Sequence, residues 1–181
     1  MTPEEFWTIV EGARSHPEPT HAALINQLAA RSLEDILDFQ ERFDELEALV
    51  KRWDVWAAAY LIGGGCSDDA FSVFRAGLIA LGHDWFERAV RLPDALADHP
   101  AVTGTIEELD RPIFYEAFQF AASSAYERRS GDGDAFWEAL QAREEAAEAI
   151  GHDMGEDFDF DDSAEMHRCL PRLASLFLPT G

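Results

Sequence analysis

Apolar residues return along this chain at intervals of three and four, and the runs they form are separated by prolines, glycines and capping residues. Phe6, Ile9, Val10 and Ala13 mark one face of a first helix. Its start is written in Thr2-Pro3-Glu4-Glu5, with Thr2 as N-cap, Pro3 in the first turn where its missing N–H does no harm, and Glu5 closing a capping box. Pro17 and Pro19 end it. A second helix is predicted over 20–30, with Leu24 and Leu28 inward. Ser32 caps a longer one, with Asp35 in its first turn and Leu33, Ile36, Phe43, Leu46 and Val50 on the buried side.

Trp53, Trp56, Ala57, Tyr60 and Leu61 keep the helical period over 53–62, and Gly63-Gly64-Gly65 stops it. The next helix begins near Ser67, carries Phe71, Phe74, Leu78 and Leu81 as its core stripe, and runs to Gly82; a short one follows over 85–90. Pro93, Pro100 and Gly104 predict an irregular connection. Pro112 then opens an aromatic helix through Phe114, Phe118, Ala121 and Ala125 toward Arg129. After the break Ser130-Gly131-Asp132-Gly133-Asp134, helical spacing resumes over 135–150 through Phe136, Leu140 and Ala147. Residues 151–165 hold seven acidic side chains and no Lys or Arg, and a short closing helix over 166–178 is interrupted by Pro171.

No strand-like alternation of convincing length and no fixed repeat is present. The expected fold class is therefore all-α: a single-domain helical bundle of about seven to nine helices with an irregular acidic C-terminal segment. Residues 1–130 form the expected helical core, and 131–181 a C-terminal helix and acidic tail packed on the same domain.

Composition sharpens this picture. A chain of 181 residues, 47% of them hydrophobic, buries a core of its own despite a net charge of -22. The excess of 36 acidic over 14 basic side chains repels phosphate backbones and argues against direct nucleic-acid binding. It favours instead a basic protein or a cationic ligand. Nothing approaches the roughly 18 apolar residues of a membrane span, the first residues lack a basic leader, and two cysteines make no disulfide framework, so the expected location is the cytoplasm. No cofactor motif is present: there is no nucleotide fingerprint, no Walker-type Lys and no His-Glu-x-x-His helix.

The most distinctive stretch runs from Trp53-Asp54-Val55-Trp56 through Gly63-Gly64-Gly65-Cys66-Ser67-Asp68-Asp69 to Arg75. It resembles the signature of a bacterial family known as domain of unknown function number 4240. The resemblance extends to Phe6-Trp7 and Phe43-Asp44-Glu45 upstream and to Ala76-Gly77-Leu78-Ile79 downstream. The acidic run 155–162 and Pro171-Arg172-Leu173 are similar to the end of some members. The resemblance supports a domain boundary and transfers no catalytic role, because the family has no assigned activity.

Physically, the three glycines allow positive φ, and Ser67 or Asp68 caps the following helix. A glycine-rich turn into a helix can also cradle phosphate, but Asp68 and Asp69 in the first turn oppose an anion. Cys66, just before a helix N-terminus, is a candidate nucleophile, with His83 the nearest His in sequence; a structural thiol is the plainer reading. Asp54, Asp68, Asp69 and Arg75 are read as a cap plus an ion pair, or alternatively as a carboxylate pocket for a metal or cation walled by Trp53, Trp56 and Tyr60. Gly64, Gly65 and Ser67 complete that candidate ligand-binding set. Asp157, Asp159 and Asp161 are spaced like the start of a calcium loop, but Asp162 stands where that loop needs Gly and Arg168 where it needs Glu. The favoured expectation is that Phe158 and Phe160 anchor an extended segment while the carboxylates face water.

Three function classes follow. The first is a non-catalytic binding or accessory module for a basic or cationic partner. An enzyme acting through grouped carboxylates or Cys66 is the second, and a nucleic-acid mimic the third.

Overall fold

The computed structural model describes residues 1–104, 112–144 and 153–178. Within these residues the chain is all-α, with no strand. The first three helices are α1 (Pro3–Arg14), α2 (Thr20–Ala29) and α3 (Leu33–Leu49). The Thr2 hydroxyl accepts from the Glu5 amide while the Glu5 carboxylate accepts from the Thr2 amide, which forms the capping box read from the sequence. Ser32 and Asp35 make the same reciprocal pair ahead of α3.

Helix α4 (Trp53–Gly63) ends on Gly64, at φ 62 and ψ 38, and Gly65 is also at positive φ, so the turn uses a backbone that a side chain would strain. Ser67 caps α5 (Asp68–Ala80) by accepting from the Ala70 amide at 3.3 Å. Helix α6 (His83–Arg91) is followed by a 3-10 turn (Pro93–Asp98) and by α7 (Pro100–Gly104). The described part of the connection expected to be irregular, 93–104, is thus largely helical, and its remainder lies outside the described residues. Pro93 and Pro100 each sit in a first turn, where proline starts a helix rather than breaking one.

The aromatic stretch differs in the opposite sense. Residues 112–115 are not helical; the helix expected from Pro112 begins only with α8 (Glu116–Gln119), breaks at Phe120, and resumes as α9 (Ala121–Ser130). Gly131 ends α9 in the left-handed conformation, and α10 (Asp134–Glu144) follows; the remainder of the helix expected over 135–150 lies outside the described residues. Pro171 does not interrupt one closing helix but starts a second, giving α11 (Ser163–Cys169) and α12 (Pro171–Phe177). The described residues therefore carry twelve α-helical segments and one 3-10 turn, against an expectation of seven to nine, because stretches expected as one helix are split at Phe120 and at Pro171 and helical turns fill 93–104.

These residues group into two units. One draws on Met1–Leu46 and Glu116–Gly151, the other on Glu47–Tyr115 and His152–Gly181. In the first, α2 packs on α1 and α9, around Phe6, Leu24, Leu28, Ile36 and Phe136. Phe6 and Phe39 stack at 4.6 Å. Arg143 on α10 reaches Asp38 at 3.0 Å, Glu41 at 3.0 Å and Glu34, and Asp38 also takes the terminal ammonium of Met1 at 3.1 Å.

In the second unit, α4, α12 and the 3-10 turn pack together, with Leu96, Leu173 and Ala174 buried. Asp94 is 3% exposed and serves as a cap at a distance: its carboxylate accepts from the amides of Arg172 (3.1 Å) and Leu173 (2.9 Å) at the start of α12. Residues 113–115 lie close against α4 and α5. A Cβ on Gly77 would stand 1.4 Å from the Ile113 carbonyl oxygen, and one on Gly63 would stand 2.8 Å from the Phe114 ring. Ile113 itself is at φ 75, held there as Phe114 packs on Phe74 at 5.2 Å and the Tyr115 amide donates to the Val73 carbonyl at 3.3 Å. Among the described residues no helix is long and apolar enough to cross a membrane.

Candidate functional site

The tryptophans of α4 are the starting point. Trp53, Trp56 and Tyr60 fall at i, i+3 and i+7, one stripe of the helix. Trp56 is sandwiched between Trp53 (centroids 5.4 Å, planes 8° apart) and Phe71 of α5 (4.7 Å, 10°). Its indole N–H donates to the Cys66 carbonyl at 3.0 Å, which holds the glycine turn against the helix.

The acidic segment completes the cluster. Phe160 contacts Trp53 at 6.1 Å, Trp56 at 6.4 Å and Tyr60 at 5.6 Å, and Phe158 lies edge-on to Phe160 at 5.3 Å. The Trp53 amide donates to the Met154 carbonyl at 3.0 Å, and the Tyr60 hydroxyl donates to Asp161 Oδ1 at 2.7 Å. The carboxylate that accepts this proton disfavours its loss, and partial burial adds to that, so the Tyr60 phenol is pushed above its ordinary value. The segment is ordered internally as well: Asp159 Oδ1 accepts from the Asp161 amide at 2.9 Å, the Asp159 amide donates to Glu165 at 3.0 Å, and Asp162 caps α11.

Together Trp53, Tyr60 and residues 157–161 line an open groove of about 510 Å³. Asp157, Asp159 and Asp161 are exposed along it, whereas Phe158 and Phe160 are half-buried. An arrangement of this kind offers π faces beside negative charge, the two groups that attract an organic cation. Among the described residues no three His, Cys, Asp or Glu side chains stand close enough to hold a metal ion.

The polar residues singled out from the signature divide instead of converging. Arg52 takes Asp54, through Nε at 3.0 Å and Nη2 at 2.8 Å. Arg75 donates to the Glu47 carbonyl at 3.2 Å and to Ser72 Oγ at 3.0 Å, stands 3.6 Å from the Glu47 carboxylate, and lies over the Phe71 ring at 5.3 Å. Asp68 and Asp69 are exposed in the first turn of α5, where they complement the helix dipole. Cys66 is half-buried, its thiol 3.6 Å from the Ser67 carbonyl. His83, the nearest His in sequence, opens α6 at the other end of the 13-residue α5, a helix about 20 Å long. Gly64, Gly65 and Ser67 serve the turn and the cap.

Sequence reasoning reaches Trp53, Trp56, Tyr60, Phe158 and Phe160 separately but does not pair them. It gives no signal for the Tyr60–Asp161 hydrogen bond, since helical periodicity carries no information on which remote segment meets a helix face.

No curated protein and no solved structure matches the chain. A family model described as a protein of unknown function, DUF4240, matches residues 1–128, which include Trp53, Tyr60 and the whole Trp-to-Arg75 stretch but not residues 157–161. On that match the chain belongs to the DUF4240 family.

Proposed function

We propose that this protein is a non-catalytic binding module that takes a basic or cationic partner through the groove between α4 and the acidic segment. The observation that carries the reading is the groove itself, in which the exposed carboxylates of Asp157, Asp159 and Asp161 stand beside the rings of Trp53 and Tyr60. A net charge of -22 supports it, because the long-range field of the protein draws cations in and turns nucleic acids away. Cys66 and Cys169 are not joined in a disulfide, which fits a reducing cytoplasm.

A groove of this kind reports its own occupancy, since cations near an indole change tryptophan emission. Titration with a short, tryptophan-free basic peptide at low salt is expected to change the emission saturably, and an acidic peptide of equal length is expected to leave it flat. The affinity should fall as salt rises toward 0.5 M. Equal responses to the basic and acidic peptides, or none to either, would remove this reading.

A further inference from the structure

The groove carries more information than its charge. Two of its carboxylates are each pinned by one oxygen: Asp159 Oδ1 by the Asp161 amide at 2.9 Å, and Asp161 Oδ1 by the Tyr60 hydroxyl at 2.7 Å. The second oxygen of each remains an acceptor with no hydrogen-bond partner among the described residues. Carboxylate acceptors left in this way favour a ligand that donates directional hydrogen bonds.

The aromatic wall points the same way. Trp56 stacks on one face of Trp53 with planes 8° apart, and Phe160 meets Trp53 at 68°. A round quaternary ammonium, which donates nothing and needs several aromatic faces around it, finds too few here. A planar guanidinium can lie on a ring and hydrogen-bond carboxylates in its own plane; a lysine ammonium stacks poorly and is more strongly hydrated. The groove is also open, so a small free ligand would leave much of its surface in water, whereas a chain segment can continue beyond it.

Resting on the binding reading above, we propose that the groove recognises an arginine side chain carried on a basic segment of a partner protein, with the guanidinium laid against the aromatic wall and hydrogen-bonded to Asp159 and Asp161. Asp157, exposed at the same groove, adds charge without holding the segment in place.

The test titrates the full-length protein with three tryptophan-free peptides of identical length and net charge, carrying arginine, lysine or trimethyl-lysine, at a fixed salt concentration. The arginine peptide is expected to bind about tenfold more tightly than the lysine peptide. In Asp159→Asn/Asp161→Asn that preference should shrink toward unity. Asp157→Asn, which leaves the Tyr60 contact intact, should weaken both peptides by a similar factor and keep the preference. Near-ultraviolet circular dichroism checks that the aromatic cluster survives each substitution. Equal binding of arginine and lysine peptides, or tighter binding of trimethyl-lysine, overturns the guanidinium inference while leaving a cation-binding groove. Binding of none of the three overturns both readings.

Discussion

Two glycines in the second unit look alike in sequence and differ in what they do. Gly64 is at φ 62 with open space where a Cβ would stand, so Gly64→Ala strains only the backbone and should destabilise by about 1–2 kcal/mol. Gly77 lies within α5, but a Cβ there meets the Ile113 carbonyl oxygen at 1.4 Å, and that oxygen belongs to a backbone already held at positive φ. Gly77→Ala should therefore cost about 3 kcal/mol or more, by displacing residues 113–115. Urea unfolding of the two variants checks the order; a Gly77→Ala protein as stable as Gly64→Ala would mean that the segment moves aside freely. The first effect is legible in the sequence, because a glycine run after a helical stripe announces a C-cap. The second is not, because a helical glycine at a close approach leaves no trace in periodicity.

The same contrast holds for whole elements. Helix starts were readable at some local caps, as with Thr2 and Glu5 before α1 and Ser67 before α5, but not at Asp162, which caps α11 from within the run read as an irregular acidic tail. Helix α12 is capped by Asp94, 78 residues away from Arg172, and no local pattern could announce it. Because Asp94 is buried and satisfies two amides, Asp94→Ala should destabilise the second unit by about 2 kcal/mol, with α12 the element that loosens. Asp94→Asn keeps an acceptor and should recover part of that loss. Amide hydrogen exchange at Arg172 and Leu173 reads the effect directly, and unchanged protection there in Asp94→Ala would show the cap to be dispensable. Prolines misled for a related reason: Pro93, Pro100 and Pro171 read as breaks, yet each opens a helical turn, since the residue that ends one helix can begin the next. For the groove, the α4 aromatics were visible as a stripe, and the carboxylates were visible as a run. Their meeting depends on the tertiary path of residues 153–162.

Across the molecule, charge sets the response to pH. Burial alone would raise the Asp38 carboxyl, but hydrogen bonds from Arg143 and the terminal ammonium outweigh it and hold it below its ordinary value. Hydrogen bonds from Ser32 lower Asp35, and the Arg172 guanidinium lowers Asp98. A carboxylate lowered in the folded state contributes stability above its unfolded pKa, near 4, and loses it as pH falls through the folded value. The melting temperature should accordingly fall on acidification below about pH 4. Asp38→Asn should melt below wild type at neutral pH and converge with it in acid; a constant gap down to pH 2 would show that the Asp38 ion pairs are not the cause.

Each of the two units is assembled from two separated stretches of chain, and this has a consequence for how the protein is made. As the polypeptide leaves the ribosome, residues 47–104 emerge well before the segment 153–178 that seats Phe160 on the tryptophans and offers α12 to Asp94. Throughout that interval the indoles of α4 lack their Phe160 cover and a carboxylate destined for the interior has no amides to accept from. The second unit is thus completed late, through contacts of large sequence separation whose loop-closure entropy falls on the end of synthesis. The nascent chain exposes, for that time, the same aromatic stripe that the finished protein keeps at the edge of its groove.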